Sequence, residues 1–126
     1  MTIVTVDLAD RPYDIHVEAG LLANAGAILA PYARQQKLLV VTDEHVAEHV
    51  WPKLEPAVTA AGLDAVRFLL PSGESAKSWL QLELLTDWLL DRGVERGHHI
   101  IALGGGAVGD LTGFAASIVK RGCRFV

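Results

Sequence analysis

The chain has 126 residues, 51% of them hydrophobic and 21% charged, with a formal net charge of −4. That is one domain of ordinary globular composition, long enough to bury a real core. A mildly acidic balance without a large Lys/Arg cluster argues against sequence-independent nucleic-acid binding, and no run approaches the ~18 apolar residues of a membrane-spanning helix.

The N-terminus, MTIVTVDLAD, carries no basic segment followed by an apolar block and does not read as a signal peptide. The single cysteine, Cys123, cannot form an internal disulfide, so a cytoplasmic protein is expected. Ile3, Val4, Val6 and Leu8, then Tyr13, Ile15 and Val17, give two short alternating runs around Asp10-Arg11-Pro12. They predict a β-hairpin at a sheet edge. A helix is expected over Leu21 to Ala30, stopped by Pro31.

Lys37 to Thr42 is a short apolar, β-branched run and reads as a buried strand, with Asp43 placed to cap a helix from Glu44 to about Val50. Pro52 and Pro56 predict a division of the following region into a short helix and a second one reaching Ala61, ended by Gly62. Val66, Phe68 and Leu70 mark the next strand, followed by the loop Pro71 to Lys77. A helix over Ser78 to Asp91 would face the sheet with Leu80, Leu84, Leu85 and Trp88, and Gly93 would end it.

Ile100 to Leu103 is the last full strand. Behind it come Gly104, Gly105 and Gly106, then Gly109 where a helix is expected to begin, with Asp110 in its first turn. Strands alternating with helices predict an α/β fold: a Rossmann-like, mostly parallel sheet flanked by helices and preceded by the hairpin. The chain ends at Arg124-Phe125-Val126 as if another strand were opening, which suggests a fragment. In parallel sheets ligands bind beyond the carboxyl ends of the strands. Asp43, the Ser72–Lys77 loop and the glycine turn all follow strands, so three loops should converge there.

The residues leave several chemistries open. Gly104-x-Gly106-x-x-Gly109 has the form of a dinucleotide fingerprint, after a strand and before a helix, where free amides and the helix dipole favour phosphate. Its plain alternative is a tight turn with close helix–sheet packing. Asp110 suits hydroxyl groups, as in a ribose, better than a phosphate, or it caps the helix. Glu74 and Lys77 could hold sugar hydroxyls and a phosphate, or belong to a helix start with Ser75 as cap. His45-Val46-Ala47-Glu48-His49 has the H-x-x-E-H form of some zinc sites but finds no third ligand at convincing spacing. It reads better as a solvated face. His98-His99 reads as surface or sheet edge. Lys120, Arg121 and Arg124 follow the last helix, either complementing its dipole or recognising an anion. Cys123 has no adjacent base, so nucleophilic catalysis is not indicated.

Taken together, Gly104 to Gly122 reads GGGxxGDxxGFxAxxxxRG, Gly73 to Ser78 reads GExxKS, and Thr42-Asp43 follows an earlier strand. This combination resembles the 3-dehydroquinate synthases of the sugar-phosphate cyclase group. The resemblance covers the whole chain as the N-terminal, NAD-binding part of that family. It implies conversion of 3-deoxy-D-arabino-heptulosonate 7-phosphate to 3-dehydroquinate and phosphate, in the shikimate pathway of aromatic amino acid biosynthesis. Family members keep NAD bound, use a divalent zinc or cobalt ion and act as homodimers. By motif, Asp43, Glu74 and Lys77 would hold the adenosine end of NAD, and Gly105, Gly106 and Ala107 would line its pyrophosphate. Asp110 would lie near the nicotinamide side. Arg121 would be the arginine that reaches a neighbouring subunit's substrate across the dimer. The family's metal ligands sit in a C-terminal helical domain outside this sequence, so no metal ligand is expected here and the chain alone is expected to be inactive. Other sugar-phosphate cyclases share most of these motifs. Metal-dependent polyol dehydrogenases have the glycine triplet but continue as GGGSxxD. A non-catalytic nucleotide-binding module is the reading from a different class.

Overall fold

A computed structural model of the protein describes residues 2–126. It contains six strands, β1 (Thr2–Val6), β2 (Tyr13–Val17), β3 (Lys37–Asp43), β4 (Asp64–Leu70), β5 (His99–Leu103) and β6 (Arg124–Phe125). Five α-helices intervene: α1 (Ala25–Leu29), α2 (Glu44–His49), α3 (Trp51–Ala60), α4 (Trp79–Asp91) and α5 (Gly106–Ile118). Strands β3 to β6 form one parallel sheet in the order β4-β3-β5-β6.

Alternation along β3 separates two cores, as expected for a strand covered on both sides. Leu39 and Val41 face one layer with Leu85 and Leu89 of α4 and Val108 and Ala115 of α5. Leu38 and Val40 face the other, with Leu29 of α1 and Leu54 and Val58 of α3. The α/β sandwich with helices on both faces is therefore the one the periodicity predicts. Where α1 crosses α3, a Cβ on Gly26 would lie 2.6 Å from the Ala57 carbonyl oxygen, so only glycine permits that approach.

Several local expectations need correction. Among the described residues the hairpin pairs only with itself, as a separate two-stranded antiparallel sheet and not as an edge of the main one. The first helix is α only over Ala25–Leu29, flanked by 3₁₀ turns at Leu21–Asn24 and Ala30–Tyr32. Pro56 lies inside α3 rather than dividing it. Its ring points outward while Trp51, Leu54 and Val58 are buried, so packing on both sides of the proline overrides the missing hydrogen bond. The break falls instead at Val50, and Pro52 occupies the first turn of α3, where its missing N–H costs nothing.

Helix α4 also turns its apolar stripe differently. Leu82, Leu85 and Leu89 are buried, whereas Leu80 and Leu84 are exposed. With leucines at six positions of α4, periodicity alone does not choose a face. The two glycine stops hold as expected. After α3, Gly62 has φ 79°, its N–H reaches the Thr59 carbonyl, and the Leu63 N–H reaches Val58. After α4, Gly93, Leu90, Val94 and Leu89 repeat that left-handed cap.

Candidate nucleotide site at the carboxyl edge of the sheet

Register sets the edge. Asp43 pairs with Leu70 and Thr42 with Leu103, so β3, β4 and β5 end level with one another. The fully buried Thr42 hydroxyl donates to the Leu103 carbonyl at 2.7 Å, fixing the residue before the glycine turn. Asp43 caps α2, its Oδ1 accepting the Val46 N–H at 2.8 Å, with its second oxygen left over.

Helix α5 begins earlier than expected. Gly105 is its N-cap and Gly106 its first residue, so Gly109 and Asp110 lie in the second turn and not at the start. Among the described residues no side chain caps this end. The first helical amides have no partner within the helix, and they face out with the positive end of the dipole.

The glycines divide by cause. A Cβ on Gly104 would lie 2.8 Å from Val108 Cγ2, so this position is glycine because the buried Val108 occupies the space. Gly105, Gly106 and Gly109 would meet nothing within 4 Å. Their φ values are not in the left-handed region either. Nothing inside the fold demands glycine there. What a side chain would fill is the space over the turn.

The second loop supplies charge. Ser78 caps α4, accepting the Gln81 N–H at 3.1 Å, and Ser75 instead donates to the Ser72 carbonyl at 2.8 Å. The cap is thus Ser78 rather than Ser75, which leaves Lys77 just outside the helix. Its Nζ lies 2.8 Å from Asp110 Oδ2 on α5 and 3.2 Å from Glu74 Oε2. The Asp110 hydrogen bond, and then that of Glu74, raise the lysine above its ordinary pKa. The trio joins the loop after β4 to the helix after β5. Two carboxylates around one ammonium leave a net charge of −1, with free lone pairs directed to solvent. Such a group accepts hydrogen bonds from hydroxyls and repels a bare phosphate. Beside it a shallow cleft runs between Ser78 and Trp79 of α4's start and Leu111 and Phe114 of α5.

Other expected positions lie apart. Arg121 follows the far end of α5, roughly 20 Å from the glycine turn at 1.5 Å per residue. Lys120 and Arg121 have φ of 51° and 61°, two consecutive non-glycine residues in the left-handed region. His45 and His49 share one exposed face of α2, with ring centroids 4.5 Å apart. Among the described residues, no three His, Cys, Asp or Glu side chains group as metal ligands. The Cys123 thiol is pushed up by burial, which keeps it protonated and unreactive. Sequence reasoning missed the Lys77–Asp110 bridge, because 33 positions separate its partners and no periodicity links them.

A family model described as 3-dehydroquinate synthase N-terminal matches residues 67–126. The 3-dehydroquinate synthase of Zymomonas mobilis is 49% identical over 123 residues, covering 98% of this chain and 32% of that protein. That of Ruegeria pomeroyi is 45% identical, covering 100% of this chain and 34% of the relative. Among solved structures, the 2-epi-5-epi-valiolone synthase of Streptomyces hygroscopicus, with NAD+ and Zn2+ bound, superposes with a TM-score of 0.80 at 27% identity. That match covers 95% of this chain and 33% of the other. The chain spans about a third of the length of the relatives it matches. Identity of 45–49% along nearly all of this chain makes it similar to the N-terminal third of 3-dehydroquinate synthases.

Proposed function

We propose that this chain is the N-terminal, NAD-binding part of a 3-dehydroquinate synthase. The whole enzyme would convert 3-deoxy-D-arabino-heptulosonate 7-phosphate to 3-dehydroquinate with loss of phosphate, as a carbon–oxygen lyase acting as a cytoplasmic homodimer. The observation that carries the nucleotide reading is the set of open glycines. Gly105 and Gly106 have no internal reason to lack a side chain, and the amides beside them are free. A pyrophosphate over the turn supplies the missing reason.

The division of labour follows from charge. The amides of Gly105, Gly106 and Ala107 would receive the pyrophosphate. The Glu74–Lys77–Asp110 group, being net negative, would accept ribose hydroxyls, with Asp43 offering its uncommitted oxygen from the neighbouring strand end. Lys77 acts mainly by holding both carboxylates in position. Bound NAD would supply transient oxidation of a substrate hydroxyl. The zinc or cobalt of the family has no ligand set among the described residues. Arg121, held in a strained turn away from this site, is suited to a substrate bound across a subunit boundary.

Calorimetric titration of the chain with NAD tests this reading. Saturable binding is expected, weakened by Glu74→Ala and by Lys77→Ala. Absence of binding in a folded chain would overturn it. The chain alone is expected to make no dehydroquinate, and measurable product from it would refute the division of labour between this part and the rest of the enzyme.

A further inference from the structure

At the opposite edge of the sheet, where β3 and β5 begin, lies a pocket of about 240 Å³ lined by Arg34, Lys37, Arg92, His98, His99 and Tyr32. No carboxylate lines it, although the chain is net acidic. Among the described residues, none of the three full cations makes an ion pair; the ion pairs lie elsewhere, on Arg11, His49 and Lys77.

The backbone forces two of these cations together. Arg34 and Lys37 exchange backbone hydrogen bonds at 3.1 and 3.0 Å across a two-residue turn. Its central residues, Gln35 and Gln36, have φ of 53° and 64°. That geometry belongs to Asn-Gly, and glutamine has no local preference for it. Directly opposed like charges are themselves unfavourable. So a turn strained at both central residues sets two positive side chains on one side of a hairpin.

Gly97 contributes by absence, since a Cβ there would lie 3.0 Å from Arg34 Nη1. His98 Nδ1 accepts the Glu95 N–H at 2.6 Å, which leaves its Nε2–H as a donor. Burial, with the charge of Arg34, lowers the His98 pKa, and burial with Arg124 lowers that of His99, so both serve as neutral groups near pH 7.

We propose that this pocket is a second anion site, which takes the phosphate or pyrophosphate group of a small phosphorylated ligand between Arg34, Lys37 and Arg92, with His98 donating from Nε2. Three cations without a counterion call for a multiply charged oxyanion rather than a single carboxylate. The volume, below the ~300–1,000 Å³ of pockets for drug-sized ligands, limits the group to about that size. The site lies at the other end of the strands from the glycine turn and does not depend on NAD being bound there.

Histidine side-chain resonances of the 126-residue chain, titrated with inorganic pyrophosphate at low salt, test the proposal. The chain has five histidines, so His16, His45 and His49 are internal controls. Saturable shifts confined to His98 and His99 are expected. Arg34→Gln and, separately, Lys37→Gln should each weaken them about tenfold or more, the loss expected for one charge-assisted hydrogen bond. The Gly106 amide reports independently on any pyrophosphate at the glycine turn and should respond unchanged in both variants. The proposal fails if all five histidines shift alike, if both variants bind as well as the parent, or if His98 and His99 do not move by about 10 mM ligand, ample for a Kd near 1 mM.

Discussion

Two alanine substitutions two residues apart, Gly104→Ala and Gly106→Ala, should have opposite effects. At Gly104 the new Cβ meets Val108 Cγ2 at 2.8 Å and Val108 Cβ at 3.0 Å, and Val108 is only 1% exposed, so it has nowhere to retreat. Overpacking of this kind costs ~1–3 kcal/mol. Over 126 residues, ~2.1 cal/mol/K each gives an unfolding entropy of ~0.26 kcal/mol/K, so Tm should fall by about 4–11 °C. At Gly106 nothing lies within 4 Å and the residue opens a helix, so alanine should leave Tm unchanged or raise it by a few degrees through lower unfolded-state entropy. Yet its methyl would occupy the space a phosphate must enter to reach the amides at about 2.9 Å. Loss of one N–H bond to a charged group, ~1.5–3 kcal/mol, weakens NAD binding by roughly 10- to 150-fold. Scanning calorimetry and NAD titration of both variants separate the two effects. A stable Gly106→Ala protein that binds NAD as tightly as the parent would refute the reasoning from open glycines, and an unchanged Tm in Gly104→Ala would refute the packing assignment.

Thr112 is fully buried and its hydroxyl has no hydrogen-bond partner among the described residues. Thr112→Val keeps the shape and removes the desolvated group, so the urea midpoint should rise, by ~1–2 kcal/mol in stability; a fall would show that the hydroxyl has a partner. The raised Lys77 pKa stabilises the folded state at every pH below the ordinary lysine value of 10.5, and that contribution disappears as pH rises through the folded value. Lys77→Met should therefore lower stability at pH 8, with the difference from the parent shrinking in strong alkali. A gap that stays constant across that range would separate it from the charge. His99 has its pKa lowered mainly by burial, so its contribution is present above the ordinary value of 6.5 and is lost as the pH falls through the lower folded value. His99→Phe keeps the edge-to-face contact with Tyr32, at 5.0 Å between ring centroids, and should flatten the loss of stability between pH 7 and pH 5. An unchanged slope would assign that loss to other groups.

How much the sequence disclosed depends on the range of the interactions involved. The strands Lys37–Asp43 and His99–Leu103 are legible because a short apolar run between turn signals has few alternatives, and the stops at Gly62 and Gly93 because left-handed caps are local. The exposure of Leu80 and Leu84 on α4, beside the buried Leu85 and the core-packed Trp88, has the opposite cause. Leu80, Leu82, Leu84, Leu85 and Leu89 satisfy more than one stripe, and only the sheet beneath selects Leu82, Leu85 and Leu89. The continuity of α3 through Pro56 is likewise a tertiary result, held by Trp51, Leu54 and Val58. At the site, the glycine turn was visible as a pattern, but the pattern did not separate the glycine that packing demands from those that leave space open. The bridge from Lys77 to Asp110, and the pairing of Arg34 with Lys37, join residues whose spacing carries no signal.

Helix α5 joins these observations because its two ends cannot serve the same group. Its N-terminus presents free amides beside the Glu74–Lys77–Asp110 cluster, and its C-terminal end leads into Lys120 and Arg121, both in the left-handed region. Non-glycine residues in such conformations cost about 1–3 kcal/mol each and persist only where the surroundings impose them. Here the surroundings are visible: the Cys123 N–H binds the Ala116 carbonyl at 2.7 Å, and Gly113 packs against Phe125, which together pull the chain sharply back from α5 into β6. The strain thus fixes the place where Arg121 leaves the fold, exposed and roughly 20 Å from the turn. A guanidinium held there cannot reach a nucleotide on its own glycine turn. If Arg121 contacts substrate, that substrate lies on a neighbouring subunit or on the remaining part of the enzyme. On that reasoning Arg121→Ala should leave NAD affinity of this chain unchanged while Glu74→Ala lowers it, and equal losses from both would place Arg121 at the nucleotide after all.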